Sequence, residues 1–248
     1  MSKRRFMINS RSIREGYASF NGDLFKHIVR VLRLGTGTPL ILVDEHGNEH
    51  QGVIDQVDRE WVVVRISSSL PTADVVSDTP RLTICQALPK GEKTELVLQK
   101  GTELGAHDFW LFGGQRSVPR IRGEQLAGKL ERWNRITAEA ARQCGRRDIP
   151  AVSWFPTALE AAETSSHDLR LLLWEGERQQ GLKNTLAAQP HPASAIVVIG
   201  PEGGFAPLEV EHFSRCGFLP VSLGERILRT ETAALAITAI LHYIWENS

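Results

Sequence analysis

Two turns in the second half of the chain set glycine and charge together at the end of an apolar run. Ile196-Val197-Val198-Ile199 leads into Gly200-Pro201-Glu202-Gly203-Gly204-Phe205, and Ser222-Leu223-Gly224 leads into Glu225-Arg226-Ile227-Leu228-Arg229-Thr230-Glu231. Turns of this kind, at the carboxyl ends of strands, are where α/β proteins hold ligands. In the first, Gly200 omits a Cβ where a ligand could approach, Gly203-Gly204 admits positive φ, and Pro207 suits the first position of a helix. A plain strand-to-helix turn would use the same glycines. In the second, Arg226 and Arg229 stand three apart, as on one side of a helical turn, and arginines beside a glycine turn can hold a phosphate or a polarised base by bidentate hydrogen bonds. Thr230 reads equally well as an N-cap, with Glu231 merely favouring the helix dipole. GPEGG lacks a following Lys-Ser/Thr, so it is no Walker A loop, and it does not match GxGxxG.

Other chemistries are poorly served. His46-Gly47-Asn48-Glu49-His50 matches the HxxEH zinc pattern, which needs both histidines on one face of a helix. Gly47-Asn48 between alternating apolar runs predicts a hairpin instead, so no metal is expected. Neither a GxSxG elbow nor a Ser/His/Asp order occurs. Basic residues gather at Arg4, Arg5, Arg11 and Arg14, at Lys26, His27, Arg30 and Arg33, and at Arg116, Arg120 and Arg122. Lys26, Arg30 and Arg33 fall at i, i+4 and i+7 and would share a helical face able to follow a phosphate backbone, or simply face solvent.

With 248 residues, 42% hydrophobic and 23% charged, the chain can bury one large or two modest cores. Lys+Arg and Asp+Glu both total 29, so a nucleic-acid role must rest on local patches and not on the global field. Three widely spaced cysteines without a CxxC support neither a disulfide framework nor a cysteine zinc site, and a reducing, cytoplasmic setting fits best. The basic start has no apolar h-region, and the Ala-rich stretch from Thr230 to Glu246 is too short and polar to span a bilayer.

Residues 38–67 alternate like strands and predict a small antiparallel meander, joined by a short helix over Asp23 to Leu34. The Ser/Thr/Asp/Pro-rich 71–80 predicts a linker between a first domain at 1–70 and a second at 81–248. Beyond it, strands near 81–87, 108–112, 151–155, 169–174, 195–200 and 219–223 interleave with helical stretches, so the second domain is expected to be α/β, a largely parallel sheet covered on both faces. Its clearest helix runs from Glu124 to about Cys144 with Leu126, Leu130, Trp133, Ile136 and Ala140 as the apolar stripe, and Gly145 ends it. The last helix carries Ala233, Ala234, Ile237, Ile240, Leu241 and Ile244, a pattern that serves core packing or a dimer interface.

Taken together, RRFM at the start, HIVRVLR at 27–33, KGEKTELVLQKGTELG at 90–105, RSV at 116–118, RITAEAARQCGR at 135–146, IGPEGGF at 199–205 and LGERILRTETA at 223–233 make the chain resemble the ribosomal RNA small subunit methyltransferase E family of the SPOUT class. The resemblance covers nearly the whole chain, departing locally where Phe112-Gly113-Gly114-Gln115 replaces a proline- and threonine-bearing segment. It implies a PUA-like β-barrel that grips RNA, followed by an α/β domain with a C-terminal trefoil knot, a rare exception to unthreaded topology. It also implies S-adenosylmethionine as cofactor, held by Leu172, Leu173, Glu175, Ile199, Gly200, Pro201, Glu202, Gly203, Leu223, Ile227 and Leu228. RNA would lie against Arg4, Arg5, Arg11, Lys26, His27, Arg30, Arg33 and Arg116. The implied reaction is methylation of N3 of a uridine in 16S ribosomal RNA, within the small subunit, by a homodimer.

That reaction needs an imide anion stabilised in line with a methyl donor. Arg226 or Arg229 is the expected catalytic group at the uracil oxygens, with Glu231 orienting an arginine. Four alternatives compete with this reading: a non-catalytic RNA-binding protein, a methyltransferase of the same class acting on another RNA, a metallohydrolase built on His46 and His50, and an open Rossmann methyltransferase. The last should carry its glycine-rich loop directly after the first strand of its domain, where this chain has Pro89-Lys90-Gly91-Glu92.

Overall fold

A computed structural model describes residues 4–44, 48–70, 79–146, 148–177, 180–188 and 192–246. Residues 71–78, most of the expected linker, and His46 of the HxxEH pattern lie outside these. The chain forms two compact units, residues 1–76 with 142–148, and residues 77–141 with 149–248.

The first unit is built on strands β1 (Arg5–Met7), β2 (Ile13–Arg14), β3 (Tyr17–Asn21), β4 (Pro39–Val43), β5 (Glu49–Val57) and β6 (Trp61–Leu70). They form one sheet in the order β1-β4-β5-β6-β3-β2, with β1 parallel to β4 and the other pairs antiparallel. Period-2 alternation sends Ala18, Phe20, Val62 and Val64 inward with Leu40, Leu42 and Ile54, while Tyr17, Trp61 and Arg65 face out. The meander agrees with the pattern of residues 38–67. The short β1, β2 and β3 go beyond that pattern, because two to five residues give too little alternation to read. The HxxEH pattern spans the β4–β5 connection, with Glu49 and His50 on a strand and not on a helix.

The expected helix over 23–34 needs correction. One α-turn, α1 (Gly22–Phe25), gives way to a π-helix over Lys26–Val31, in which Leu32 N–H bonds the His27 carbonyl five residues back. Arg33 then takes a φ of 53°. β-Branched Ile28, Val29 and Val31 crowd a regular α-turn, and the wider turn buries Phe25 and Ile28 together. Offsets of four and seven therefore do not stack Lys26, Arg30 and Arg33 on one helical face.

In the second unit β7 (Arg81–Ala87), β8 (Asp108–Phe112), β9 (Ala151–Phe155), β10 (Leu169–Leu173), β11 (Ser194–Ile199) and β12 (Leu219–Val221) form a wholly parallel sheet in the order β12-β10-β11-β7-β8-β9. Helices α2 (Lys93–Glu103), α3 (Gly123–Cys144), α4 (Ala158–Thr164), α5 (Leu182–Ala188), α6 (Pro207–Arg215) and α7 (Thr230–Glu246) complete it. Strand parity divides the core. Leu171, Leu173, Val197 and Ile199 pack with Val97 and Leu98 of α2, Trp133 of α3, Leu186 of α5 and Ile237 and Leu241 of α7. Leu172, Ile196 and Val198 pack on the opposite side with Ala161 of α4 and Phe213 of α6. The long helix ends at Gly145, whose φ of 78° is the left-handed cap expected there.

Parallel register sets the site. Gln86 on β7 pairs with Ile199 on β11, Ile199 with Leu173 on β10, and Leu173 with Val221 on β12. Four strand ends therefore lie in one row, and the loops that follow β10, β11 and β12 open side by side.

Candidate active site

Those loops enclose a cleft of about 1200 Å³. Its walls are Leu173 to Glu175, Glu177 and Gly181 after β10, Ile199 to Gly204 after β11, and Val221 to Thr230 after β12, with Lys93 and Ala233 closing it. The two glycine turns singled out in the sequence thus line a single cleft. Ligand sites commonly span about 300 to 1000 Å³, so this one has room for a nucleoside-sized ligand and part of a second reactant.

A buried cluster of hydrogen bonds fixes the first turn. The Thr230 hydroxyl donates to the Gly200 carbonyl at 2.6 Å and accepts from the Gln86 amide at 2.8 Å, so one side chain ties the end of β7, the end of β11 and the start of α7. Thr230 is therefore the first residue of α7 but uses its hydroxyl on Gly200, which corrects the N-cap expectation. A Cβ on Gly200 would come within 3.1 Å of the Phe205 ring, so that glycine makes room for an aromatic of the core. Gly204 has a φ of 66°, and a Cβ there would also run into the Glu175 carboxylate. Pro207 opens α6 as expected. Buried Glu209 then accepts from the backbone N–H of Ala206 at 2.8 Å and of Gln115 at 2.9 Å, pinning the loop after β8 beside the first turn. From that loop the Arg116 guanidinium donates to the Gly203 carbonyl at 3.0 Å.

The second turn is irregular backbone from Ser222 to Arg229 and contains no helical turn. It is moored at its start, where Ser222 N–H bonds the Gln180 carbonyl and Leu182 N–H bonds the Ser222 carbonyl. Arg226 and Arg229 are exposed side chains lining the cleft, and Ile227 stands 85% exposed at its lip.

Most of the expected residues meet here. Leu173, Glu175, Ile199, Gly200, Pro201, Glu202, Gly203, Leu223, Ile227 and Leu228 line the cleft together with Arg226 and Arg229. Leu172 does not, because its even place on β10 turns it into the core on the far side of the sheet. Glu231 is not among the lining residues, and its ion pair is with Lys93 at 3.3 Å, in place of the expected arginine. Lys93 is not singled out by the sequence reading. A lysine at the opening of a helix, against the dipole, is the signal that could have found it.

Of the residues expected to touch RNA, Arg4, Arg5, Arg11, Lys26, His27, Arg30 and Arg33 belong to the first unit and are exposed, while Arg116 belongs to the second. Some are partly engaged already: Arg5 pairs with Glu49 at 3.0 Å, Lys26 with Asp23 at 3.3 Å, and Arg30 lies over the Phe25 ring. His50 contacts Asp44 and Ser69, and among the described residues no group of three or more His, Cys, Asp or Glu could hold a metal ion.

The cleft's chemistry suits S-adenosylmethionine. Apolar Leu173, Ile199, Val221, Leu223 and Leu228 can flank a base. Glu175, Glu177 and Glu225 offer negative charge and acceptors for a sulfonium and ribose hydroxyls, and loop backbone supplies polar edges, while Glu202 is already paired with Lys93 at 2.8 Å.

Comparison with known proteins agrees. Residues 77–242 match the model of an RNA methyltransferase domain, and residues 20–67 that of an RNA methyltransferase PUA domain. The chain is 33% identical to ribosomal RNA small subunit methyltransferase E of Bacillus subtilis, over 91% of this chain and 89% of that protein. It is 32% identical to the protein of the same name from Mycobacterium bovis, over 93% of this chain and 89% of that one. Among solved structures, that of ribosomal RNA small subunit methyltransferase E from Neisseria gonorrhoeae, bound to S-adenosylmethionine, superposes with a TM-score of 0.82 at 25% identity over 98% of both chains. A methyltransferase from Legionella pneumophila in complex with the same cofactor gives 0.82 at 29% identity, also over 98% of both.

Proposed function

The chain belongs to the ribosomal RNA small subunit methyltransferase E family, and from that premise we propose that it transfers the methyl group of S-adenosylmethionine to N3 of a uridine in 16S ribosomal RNA. The observation that carries this reading is the strand-end cleft, walled by both glycine turns and edged by Arg226 and Arg229. An open Rossmann site would place its glycine loop directly after β7, whereas the glycine turns of this cleft follow β11 and β12.

When bound, the cofactor supplies an electrophilic methyl on a cationic sulfur. The residues proposed to hold it are Leu173, Glu175, Ile199 to Gly203, Leu223, Ile227 and Leu228. The work of the remaining groups concerns the uridine, whose N3 becomes nucleophilic only when its proton leaves. An arginine donating to a uracil carbonyl oxygen stabilises the resulting imide anion and fixes the ring plane, and Arg226 or Arg229 is assigned that task. Flipping the base out of its RNA stack brings it to the cleft. The first unit and Arg116 are assigned to gripping the RNA backbone, in keeping with the match of 20–67 to a PUA domain.

Incubating the chain with radiolabelled S-adenosylmethionine and small ribosomal subunits lacking the modification is expected to place label in N3-methyluridine. Label in another nucleoside, or none, contradicts the proposal.

We assign the working form to a homodimer in the cytoplasm, on small ribosomal subunits. Ile240, Tyr243 and Ile244 on α7 are exposed, as is Leu96 on the adjoining α2, an apolar stripe suited to a second copy. No helix among the described residues is long and apolar enough to cross a membrane. Sedimentation equilibrium should return twice the 27.6 kDa chain mass, and a monomer at about micromolar concentration contradicts the pairing.

A further inference from the structure

We propose that Lys93 is a positioning residue for cofactor binding: its ammonium cross-braces the two glycine turns by neutralising Glu202 and Glu231 together. The inference rests on the function proposed above. Lys93 is the first residue of α2, where the helix dipole disfavours a cation, so the position is explained by what the side chain reaches. Its Nζ donates to Glu202 Oε1 at 2.8 Å and lies 3.3 Å from Glu231 Oε2. The Lys90 backbone N–H adds a bond to the same Glu202 oxygen at 3.1 Å. Glu202 sits in the turn after β11, and Glu231 sits in the first turn of α7, directly behind the turn after β12. One ammonium thus joins three segments that are remote in sequence and that shape one cleft.

Charge explains why the brace matters. Burial pushes the Glu202 carboxyl up, but the Lys93 ammonium and the backbone donors outweigh it and hold the group below the usual carboxylate range. The Glu202 hydrogen bond, with Glu231 nearby, raises Lys93 in return. The raised ammonium is lost only above the ordinary lysine range and the depressed carboxylate only below the ordinary glutamate range, so both stay charged between about pH 6 and pH 9. Glu231 Oε2 is buried and accepts no hydrogen bond, so without the ammonium it is a hidden anion close to a second one. The two turns would then repel each other at the cleft wall. Because one of the braced carboxylate oxygens is buried, loss of the ammonium is expected to cost thermal stability as well as cofactor affinity.

Calorimetric titration of S-adenosylmethionine into the full chain tests this. Lys93→Met is expected to raise Kd about tenfold, and Lys93→Arg to keep it within about threefold. Adding Glu231→Gln, at a carboxylate that does not line the cleft, to Lys93→Met restores the original charge balance and is expected to recover most of the loss, a rescue that a purely packing role would not produce. Lys100→Met, whose ammonium pairs with Glu103 on the same helix, serves as the control and should bind like the unaltered chain. Unchanged affinity in Lys93→Met, or no recovery with Glu231→Gln, overturns the brace while leaving the proposed function standing. Absence of saturable binding by the unaltered chain overturns the proposed function, and the brace with it.

Discussion

Of the variants Arg226→Ala and Arg229→Ala, at least one should methylate small subunits about 100- to 1000-fold more slowly in kcat, the usual cost of removing a donor aimed at developing negative charge. Both arginines are exposed side chains on the lining of the cleft, and among the described residues neither guanidinium makes a hydrogen bond or ion pair. Neither is therefore held as part of the fold, and truncation should leave the melting temperature close to that of the unaltered chain. Cofactor affinity should change by less than about threefold, because the role assigned is to the uracil anion, which exists only on the way to the transition state. The arginine facing the base would be identified by a fall in kcat at saturating RNA. The other would raise KM for RNA, as a group that binds substrate and transition state equally. Normal rates in both variants would remove the arginines from the chemistry.

Thr230→Val should have the next largest effect, and a different one. Valine keeps the shape but deletes the hydroxyl that donates to Gly200 and accepts from Gln86. The Gln86 amide nitrogen lies 3.4 Å from the same carbonyl, too long to replace a 2.6 Å bond, and Gln86 Oε1 already lacks a partner. Leaving buried polar groups unsatisfied costs about 1–3 kcal/mol, and about 2 kcal/mol corresponds to roughly 4–8 °C in melting temperature for a chain of this size. Because Gly200 is a wall of the cleft, cofactor affinity should fall about tenfold as well. Thr230→Ser keeps the hydroxyl and should restore both. A Thr230→Val protein with unchanged stability and affinity would show that this hydrogen-bond cluster does not shape the site.

Much of the second unit is legible in the sequence because buried parallel strands are continuous apolar runs bounded by polar turns, and all six appear within a residue or two of the expected places. The same property hides orientation. Leu169-Arg170-Leu171-Leu172-Leu173 offers almost no polar alternation, so nothing in it says that Leu172 points away from the cleft while Leu173 lines it. Glycine patterns locate both turns, but Gly200 serves Phe205 packing, a contact that spacing does not reveal. Lys93 opens the first helix of the second unit and Glu231 lies in the first turn of its last, and only the row of strand ends brings them within an ion pair. In the first unit, three strands of two to five residues and a π-turn fall below the length at which periodicity can be recognised.

The most direct measurement is mass-spectrometric mapping of methylated uridines in 16S ribosomal RNA from cells with and without this chain. The expected result is one N3-methyluridine that disappears without the chain, returns when it is supplied, and fails to return with the inactive arginine variant. An unchanged uridine pattern in its absence would contradict the proposed reaction.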